Sequence, residues 1–519
     1  MKKSFIFPVI LVFLMVFTIS CKEADISHNA AKKINQTLSF NSSDNELNQL
    51  FSWAKKQALA YSFSDDPVGL WYEAALPGRE AFCMRDVSHQ AMGAHFLGLA
   101  PYTKNMLMQF AANISESRDW CSYWEINRYG DPAPVDYLSD DNFWYNLPAN
   151  FDVLDCCYRM YTLTGDQDFY KDPVFLNFYK RTVYDYVERW DLSIDKIMSR
   201  KRYINYGDDF DKSKKFAFSR GIPGYNEIDK DYRAGIDLLV SEIKAFVAYT
   251  RFMELAGEIE ESEKSKIRAD EFSKLLHDTW WDEDTQSFYN YLNKENELTH
   301  LKSNQDHAIS LNDIEPWPLH WRAIQDTKKL HVTLEKMLKN LPDKADKAIE
   351  IQSHLPEILY HYNENEAAYQ QLLHLFNNDR REYPEASFAA VGAMVTGMMG
   401  IELEVHPPSE ASTDWSYVDR IITTLSRLTD VTSWAEMDHI PIRKNDISIR
   451  HEGSAKTVIS NNHGPSILWK ARFYGSHENL LLNGKPVPAR VEDSASSDKK
   501  ISYIEVIVGA GEILTVMAE

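Results

Sequence analysis

The residues best suited to chemistry lie together in one short stretch, Met84-Arg85-Asp86-Val87-Ser88-His89. If a helix opens at Asp86, the side chains of Arg85, Asp86 and His89 share one end and one face of that helix. The first helical turn also offers free N–H groups and a positive dipole end. Such a cluster can bind the hydroxyl groups or the carboxylate of a small polar ring. The alternative interpretation is a capping aspartate beside a surface ion pair.

Four carboxylates are candidates for proton transfer. Asp140 and Asp141 are adjacent like charges, an arrangement that raises one pKa and favours a proton donor. Glu227 follows a loop shaped by glycine and proline, and Glu385 opens an apolar helix. Each also has a structural interpretation: Asp140 as a helix cap, Glu385 as a dipole partner, and Glu227 as a solvated loop residue. Which carboxyl group is the acid and which the base stays open.

Further side chains could complete a binding site. Trp144 and Tyr145 follow the aspartate pair and could stack on a ring, while His361 lies on the same helical face as His354. Core positions are the alternative for all of these residues. The chain has no Cys/His spacing typical of a zinc site. We therefore expect no metal and no cofactor.

The overall charge excludes one class of partner. The formal net charge is −21, with no lysine- or arginine-rich block, so a phosphate backbone is a poor partner and nucleic-acid binding is not expected. The 519 residues, with 44% hydrophobic content, suffice for one large domain and a smaller one.

Residues 1–21 are interpreted as a lipoprotein signal peptide. Lys2 and Lys3 precede an apolar run that is too short for a safe membrane span, and the run ends at Cys21. The ending resembles a bacterial lipobox, which implies cleavage before Cys21 and its lipidation. An ordinary secretory signal is the alternative. Residues 22–45 then form a polar tether, and the protein is exported and anchored to a bacterial membrane, at the outer membrane or facing the periplasm.

The elements that position the candidate residues are mainly helical. From about residue 46, apolar residues recur with helical spacing for nearly four hundred residues, as in 235–255 and 414–428. Gly165 and Gly257 stand where helices should end, and each leads into another helix. About a dozen helices are expected, which fits six hairpins closed into a ring.

The composition changes near residue 438. Short β-rich segments follow, and Asn483-Gly484 is a hairpin turn signal. We therefore predict a mainly α fold, an (α/α)6 barrel over residues 46–437, with a small β-sandwich domain over residues 438–519.

Two stretches resemble known families. Met84–Gln90 resembles an Arg-Asp stretch of inverting exo-glycosidases in the six-hairpin glycosidase superfamily, which implies that Arg85 and Asp86 bind the terminal sugar. His89 departs from that pattern. Ser139–Pro148 is similar to a stretch of the unsaturated glucuronyl hydrolases, which implies a catalytic or substrate-binding role for Asp140 or Asp141.

Three functions follow from these observations and the resemblance. The first is an exported, exo-acting glycoside hydrolase that removes terminal sugars from oligosaccharides derived from polysaccharides. The second is a lyase or dehydratase that performs β-elimination on terminal uronic acids, for which Arg85, His89, Tyr145 and His361 would supply the groups. The third is a non-catalytic glycan-binding lipoprotein. The sugar, the linkage and the stereochemical outcome stay open.

Overall fold

The structure is a computed structural model that describes residues 38–201, 213–227, 232–300, 317–344, 349–404, 421–494 and 499–518. The predicted signal peptide, with Cys21, lies outside the described residues. Among the described helices, none combines the length and the apolarity that crossing a membrane would require.

The helices run from residue 45 to residue 392. In chain order they are α1 Asn45–Ala60, α2 Met84–Phe96, α3 Ala100–Ala112, α4 Pro148–Thr164, α5 Asp168–Lys171, α6 Pro173–Lys180, α7 Val187–Arg189, α8 Ile236–Ala256, α9 Ile259–Asp278, α10 Trp317–His320, α11 Thr327–Lys344, α12 Ile349–Gln352, α13 Leu355–His361, α14 Asn365–Asn377 and α15 Pro384–Gly392. Short π-helical segments, Arg181–Tyr186 and Ala393–Met398, follow α6 and α15.

Six of these helices form a closed inner ring. Helix α2 contacts α4, α4 contacts α8, α8 contacts α10, α10 contacts α13, α13 contacts α15, and α15 contacts α2. Helices α1, α3, α9 and α14 contact this ring from outside. Inner helix α8 is buried along most of its length, whereas outer helix α9 buries only one stripe, as a helix with solvent on one side should.

Glycine ends two of the ring helices, as expected. Gly165 after α4 and Gly257 after α8 have φ angles of +67° and +78°, the left-handed conformation in which a side chain is strained. After Gly257 the chain runs directly into the outer helix α9, which packs against α8 as a helical hairpin. After Gly165 it continues into the short helices α5 and α6.

Strands occur throughout the chain. They are β1 Ser39–Ser42, β2 Ser62–Asp66, β3 Gly69–Tyr72, β4 Ala81–Cys83, β5 Glu125–Asn127, β6 Tyr137–Ser139, β7 Asn142–Phe143, β8 Tyr145–Asn146, β9 Arg220–Ile222, β10 Tyr232–Gly235, β11 Trp281–Asp282, β12 Ser287–Phe288, β13 Tyr291–Asn293, β14 Leu298–Thr299, β15 Glu402–Glu404, β16 Ile421–Leu425, β17 Trp434–Ile442, β18 Asn445–Glu452, β19 Lys456–His463, β20 Ile467–Tyr474, β21 Asn479–Leu482, β22 Lys485–Pro488, β23 Arg490–Asp493, β24 Lys500–Val508 and β25 Ile513–Ala518.

The predicted fold class, mainly α with a small C-terminal β-sandwich, is wrong. Of the residues that the structure describes, 44% are in helices and 27% are in strands, so the fold is a mixed one that combines a helical ring with a large β part. A seven-stranded sheet has the order β1-β17-β18-β19-β25-β21-β22, and a five-stranded sheet has the order β15-β16-β20-β24-β23. Alternate residues of β18 and β20 are buried, and both strands contribute to the same continuous core as the helices.

Two local predictions also need correction. Ser39–Ser42, predicted as part of the tether, form strand β1 and pair antiparallel with β17. Residues 421–425 of the predicted helix 414–428 form strand β16, parallel to β20, because a run of isoleucine, threonine and leucine fits a buried strand better than a helix. The division into domains at residue 437 stays a prediction.

Candidate active site

One end of α2 brings the predicted cluster into a cavity. Strand β4 pairs with β5 in a register that places Cys83 opposite Glu125, and α2 begins directly afterwards at Met84. Asp86 therefore lies in the first turn and does not cap the helix, contrary to the assumption that it opens it. Its carboxylate is buried, lies 3.4 Å from Nε of Arg85, and accepts a hydrogen bond of 3.1 Å from the Tyr383 hydroxyl.

The cavity has a volume of about 540 Å³, which is in the range of small-molecule binding pockets. Its polar lining combines carboxylates, guanidinium groups and imidazoles, and aromatic rings form much of the remainder. The titratable and aromatic lining residues are Arg79, Arg85, Asp86, His89, Trp124, Glu125, Asp136, Trp144, Tyr225, Glu227, Trp317, His320, Glu350, His354, Tyr383 and Glu385.

Helix α15 supplies Glu385, which lies between two histidines. Its Oε1 is 3.0 Å from Nδ1 of His89 and 3.2 Å from Nε2 of His354, and both the His89 and Glu385 side chains are almost fully buried. Burial, followed by the nearby His354, lowers the pKa of His89 to about 3, so this imidazole is neutral. Burial opposes ionisation of Glu385, but hydrogen bonds from His354 and His89 outweigh it and lower its pKa.

A close contact between two helix backbones positions this group. A Cβ atom on Gly93 of α2 would lie 1.9 Å from the carbonyl oxygen of Phe388 in α15, so only glycine fits there. Gly93 lies one turn after His89, and Phe388 lies close to Glu385 in the sequence. The approach of the two backbones therefore brings His89 and Glu385 within hydrogen-bonding distance.

A loop before α8 presents Tyr225 and Glu227. A Cβ atom on Gly224 would lie 2.6 Å from the Asp237 carboxylate, which accepts a hydrogen bond from the backbone N–H of Tyr225. The guanidinium of Arg85 lies 5.1 Å from the centre of the Tyr225 ring and 3.9 Å from the Glu227 carboxylate. Glu227 is partly exposed, with a side chain 37% accessible, so a water molecule can reach it from the cavity mouth.

Two acidic residues that contact each other line another part of the cavity, Glu125 from β5 and Asp136 from the loop that follows it. Arg79 contacts both members, with Nε 2.9 Å from Glu125 and Nη2 3.0 Å from Asp136. Burial, and next the charge of Asp136, raise the pKa of Glu125, so the pair holds a proton near neutral pH. We did not predict Glu125, Asp136 or Arg79, because only the strand pairing of β4 with β5 brings them to the cavity.

Comparisons with known proteins agree with this architecture. Neither a family model nor a curated protein matches the sequence. Among solved structures, the chain is similar to a GH78 family rhamnosidase of Bacillus sp. GL1, with a TM-score of 0.56 and 12% identity over 81% of this chain and 40% of that one. It is also similar to an α-L-rhamnosidase from Dictyoglumus thermophilum, with a TM-score of 0.58 and 13% identity over 93% and 50% of the two chains.

A third similar structure is the α-L-rhamnosidase from Aspergillus terreus, with a TM-score of 0.51 and 11% identity over 92% of this chain and 50% of that one. The chain therefore spans half or less of the length of these three enzymes. At sequence identities of 11–13%, the similarity to these three structures shows a shared fold only. The chain shares with these three structures a fold that combines a helical barrel with β-sheets.

Asp140 and Asp141 are not among the residues that line the cavity. Asp140 accepts hydrogen bonds from Arg118 at 2.9 Å and Tyr137 at 2.6 Å, and with Ser117 these outweigh burial and lower its pKa to about 2. Asp141 is 66% exposed and pairs with Lys214, which lowers its pKa. The expectation that adjacent like charges raise one pKa is wrong here, because each carboxylate has its own hydrogen-bond donors.

Two other candidates also lie away from the cavity. Tyr145 is fully buried, and its hydroxyl contacts Asn150 and, at 3.2 Å, the sulfur of Met84. His361, at the end of α13, has its Nδ1 3.7 Å from Glu402, and burial lowers its pKa to about 4. Trp144, by contrast, lines the cavity together with Glu227, Glu385 and the Arg85–His89 cluster.

Proposed function

We propose that this protein is an exo-acting glycoside hydrolase that removes terminal sugars from oligosaccharides. The observation that carries the proposal is a single cavity in which a protonated carboxyl pair, Glu125 with Asp136, and the partly exposed carboxyl group of Glu227 accompany the buried Asp86 and the partly buried Arg85. The glycosidase-like fold and the rhamnosidases named above support a carbohydrate substrate.

The two kinds of carboxyl group fit the two steps of hydrolysis. Glu125 would donate its proton to the leaving glycosidic oxygen while Glu227, which solvent can reach, would take a proton from the attacking water. The C–O bond of the glycoside breaks as the new C–O bond to water forms. We do not propose a catalytic role for Asp140 or Asp141, because their carboxylates are held by other residues outside the cavity.

The remaining polar groups would bind the terminal sugar. Arg85 and Asp86 offer a donor and an acceptor beside the Tyr383 hydroxyl, which suits the neighbouring hydroxyl groups of one ring. Trp124, Trp144 and Trp317 line the same cavity, and their faces can stack on a pyranose.

A panel of oligosaccharides with deoxy-sugar, neutral hexose and uronic acid ends tests the proposal by product mass. Hydrolysis adds one water and releases a reducing sugar. Glu227→Gln should lower turnover by about 100-fold or more, because it removes the base. Asp141→Asn, a carboxylate outside the cavity, serves as the matched control and should behave like the wild type. Equal turnover in both variants would refute the assignment of Glu227.

Elimination from a terminal uronic acid is the second candidate. The observation that favours it is the group of His89, Glu385, His354 and Tyr383 on the cavity wall, with Arg85 available to neutralise a carboxylate. A base would remove the C5 proton as the C4–O bond breaks, which leaves a C4–C5 double bond while the C4 hydroxyl takes a proton and leaves as water. That product absorbs in the ultraviolet and is formed without addition of water, so the same panel separates the two reactions. A glycan-binding protein would leave every substrate unchanged.

We further propose that the protein is exported and lipidated at Cys21. Its signal-like residues 1–21 support this proposal. Expression in a bacterial host with radiolabelled palmitate tests it, because Cys21→Ser should abolish labelling. Labelling that persists in this variant would contradict the proposal.

A further inference from the structure

Three residues far apart in the sequence bring metal-binding atoms together on the cavity wall. His89 lies in α2, His354 directly precedes α13, and Glu385 lies in the first turn of α15. Among the described residues, these three form a group whose ligand atoms all lie within 4.8 Å of one another. Since α2, α13 and α15 are neighbours in the inner ring, the position of all three ligands is fixed by the barrel.

The distances suit one small ion. Oε1 of Glu385 is 3.0 Å from Nδ1 of His89 and 3.2 Å from Nε2 of His354. Ligand atoms about 2.1 Å from a tetrahedral zinc ion lie about 3.4 Å from one another. The two observed separations are slightly shorter than this, and the third, between the ring nitrogens of His89 and His354, is at most 4.8 Å.

The chemistry of the three groups also suits a metal. The side chains are 1%, 10% and 2% exposed for His89, His354 and Glu385, so little water competes for them. Two imidazoles and one carboxylate form the ligand set of several catalytic zinc sites, in which the fourth position stays open.

Neighbouring rings surround this group without blocking it from the cavity. The ring of His320 lies 5.0 Å from that of His354 and 5.8 Å from that of His89, and Trp317 lies 5.1 Å from His89. Nδ1 of His320 is buried and has no hydrogen-bond partner in the part of the chain that the structure describes.

We propose that His89, His354 and Glu385 bind a divalent transition-metal ion, for which zinc is the best match, on the wall of the active-site cavity. The ion would hold oxygen atoms of the substrate, either two neighbouring hydroxyl groups or a carboxylate. The binding site itself goes beyond the proposed function, and only the ion's contact with substrate rests on it.

Metal binding by the full chain tests the proposal directly. The protein is stripped with a chelator, dialysed and titrated with ZnCl2 alone in a calorimeter, and its metal content is then measured by mass spectrometry. We expect one zinc ion per chain. Cobalt in place of zinc should give the visible absorption bands of a tetrahedral site with nitrogen and oxygen ligands. Absence of stoichiometric zinc from the folded wild-type protein would overturn the proposal, whatever the variants do.

Variants locate the ion. His354→Gln can still donate a hydrogen bond to Glu385 but is a poor zinc ligand, so zinc affinity should fall by more than about tenfold. His439→Gln is the matched control, because it alters a histidine–carboxylate pair, His439 with Asp446 at 2.9 Å, in the β part of the molecule. The control should bind zinc like the wild type. Equal affinities in both variants would overturn the assignment.

The zinc-binding experiment and the test of the proposed function can succeed or fail separately. Zinc bound at one equivalent by a protein that leaves every oligosaccharide of the panel unchanged would refute the function and support the site. Hydrolysis by a protein that cannot be loaded with zinc would support the function and refute the site.

Discussion

At the scale of single residues, the site separates carboxyl groups by their surroundings. Glu125 is buried against Asp136, whereas Glu227 is open to solvent and lies near Arg85. In the proposed hydrolysis, two chemically similar side chains would thereby take opposite tasks, one as a proton donor and one as a proton acceptor. Neither task can be read from the residue type.

Glu125→Gln should lower turnover by about 100-fold or more on natural oligosaccharides, because the amide cannot donate a proton to the leaving oxygen. The loss should be much smaller on aryl glycosides, whose leaving groups need no proton. In the wild type, the pKa of Glu125 is raised, so the active protonated form disappears as the pH rises through that pKa.

The pH–rate profile checks this assignment. The alkaline fall in turnover should be present in the wild type and absent from Glu125→Gln. An alkaline limb that persists unchanged in the variant would contradict the proton-donor role.

Buried carboxyl groups beneath the site also predict how stability depends on pH. Burial raises the pKa of Asp152 to about 7, and the Tyr225 hydroxyl donates a hydrogen bond to it. A carboxyl group whose folded pKa is raised contributes most below its unfolded pKa of about 4, and this contribution is lost as the pH rises towards 7.

Asp152→Asn keeps a hydrogen-bond acceptor and removes the titration. Relative to the wild type, the variant should therefore be more stable at pH 8 than at pH 4. Urea denaturation of both proteins at the two pH values measures this difference, and a difference of zero or opposite sign would contradict the prediction.

At the scale of elements, the contact of α2 with α15 determines the geometry of the cavity wall. Gly93→Ala should force the two helices apart, because its Cβ would overlap the Phe388 carbonyl. We expect a loss of about 1–3 kcal/mol in stability and a loss of turnover, since His89 and Glu385 would separate. Chemical denaturation and kinetic assays measure both effects.

Gly392→Ala in the same helix pair is the control. A Cβ at Gly392 would have its nearest neighbour at 3.5 Å, an ordinary contact, so helix propensity should leave stability unchanged or slightly higher. If both alanine variants lose stability equally, close backbone approach at Gly93 is not the cause.

At the scale of the whole molecule, strand β1 joins the beginning of the described chain to the C-terminal sheet. Ser39 pairs with Asp438, and Leu38 beside it is 1% exposed. A chain that begins at Leu38 should therefore be more stable than one that begins at Ser43, by roughly 3 kcal/mol from the apolar area of Leu38 and Phe40. Thermal unfolding measures the difference, and equal melting temperatures would show that β1 adds nothing.

The sequence predicted the helical ring better than the β part. Apolar residues in α8 and the glycines after α4 and α8 follow local rules, so their helices and ends are visible in the pattern. Strands such as β16 depend on partners far along the chain, and β-propensity alone did not reveal them. The fold was therefore predicted in its helices and misjudged in its overall class.

The site was predicted where its residues are neighbours in sequence. The Arg85–His89 stretch and Glu385 carry local signals, and all line the cavity. Glu125 reaches it only through the pairing of β4 with β5, so no spacing marked it, and His354 was noted only as a residue on the same helical face as His361. Asp140 and Asp141 are adjacent in the sequence, which suggested that they act as a coupled pair. In the structure each carboxylate instead has its own partner, Arg118 for Asp140 and Lys214 for Asp141.

The glycine contact between α2 and α15 offers a way to find relatives that overall comparison misses. It ties the spacing Arg-Asp-x-x-His-x-x-x-Gly, residues 85–93, to Tyr-Pro-Glu-x-x-Phe, residues 383–388. A chain that carries both short signatures in this order must satisfy the same steric constraint and should present the same histidine–glutamate contact. Searching genomes for the two signatures together would then group proteins by cavity wall, even where the rest of the sequence has diverged beyond alignment.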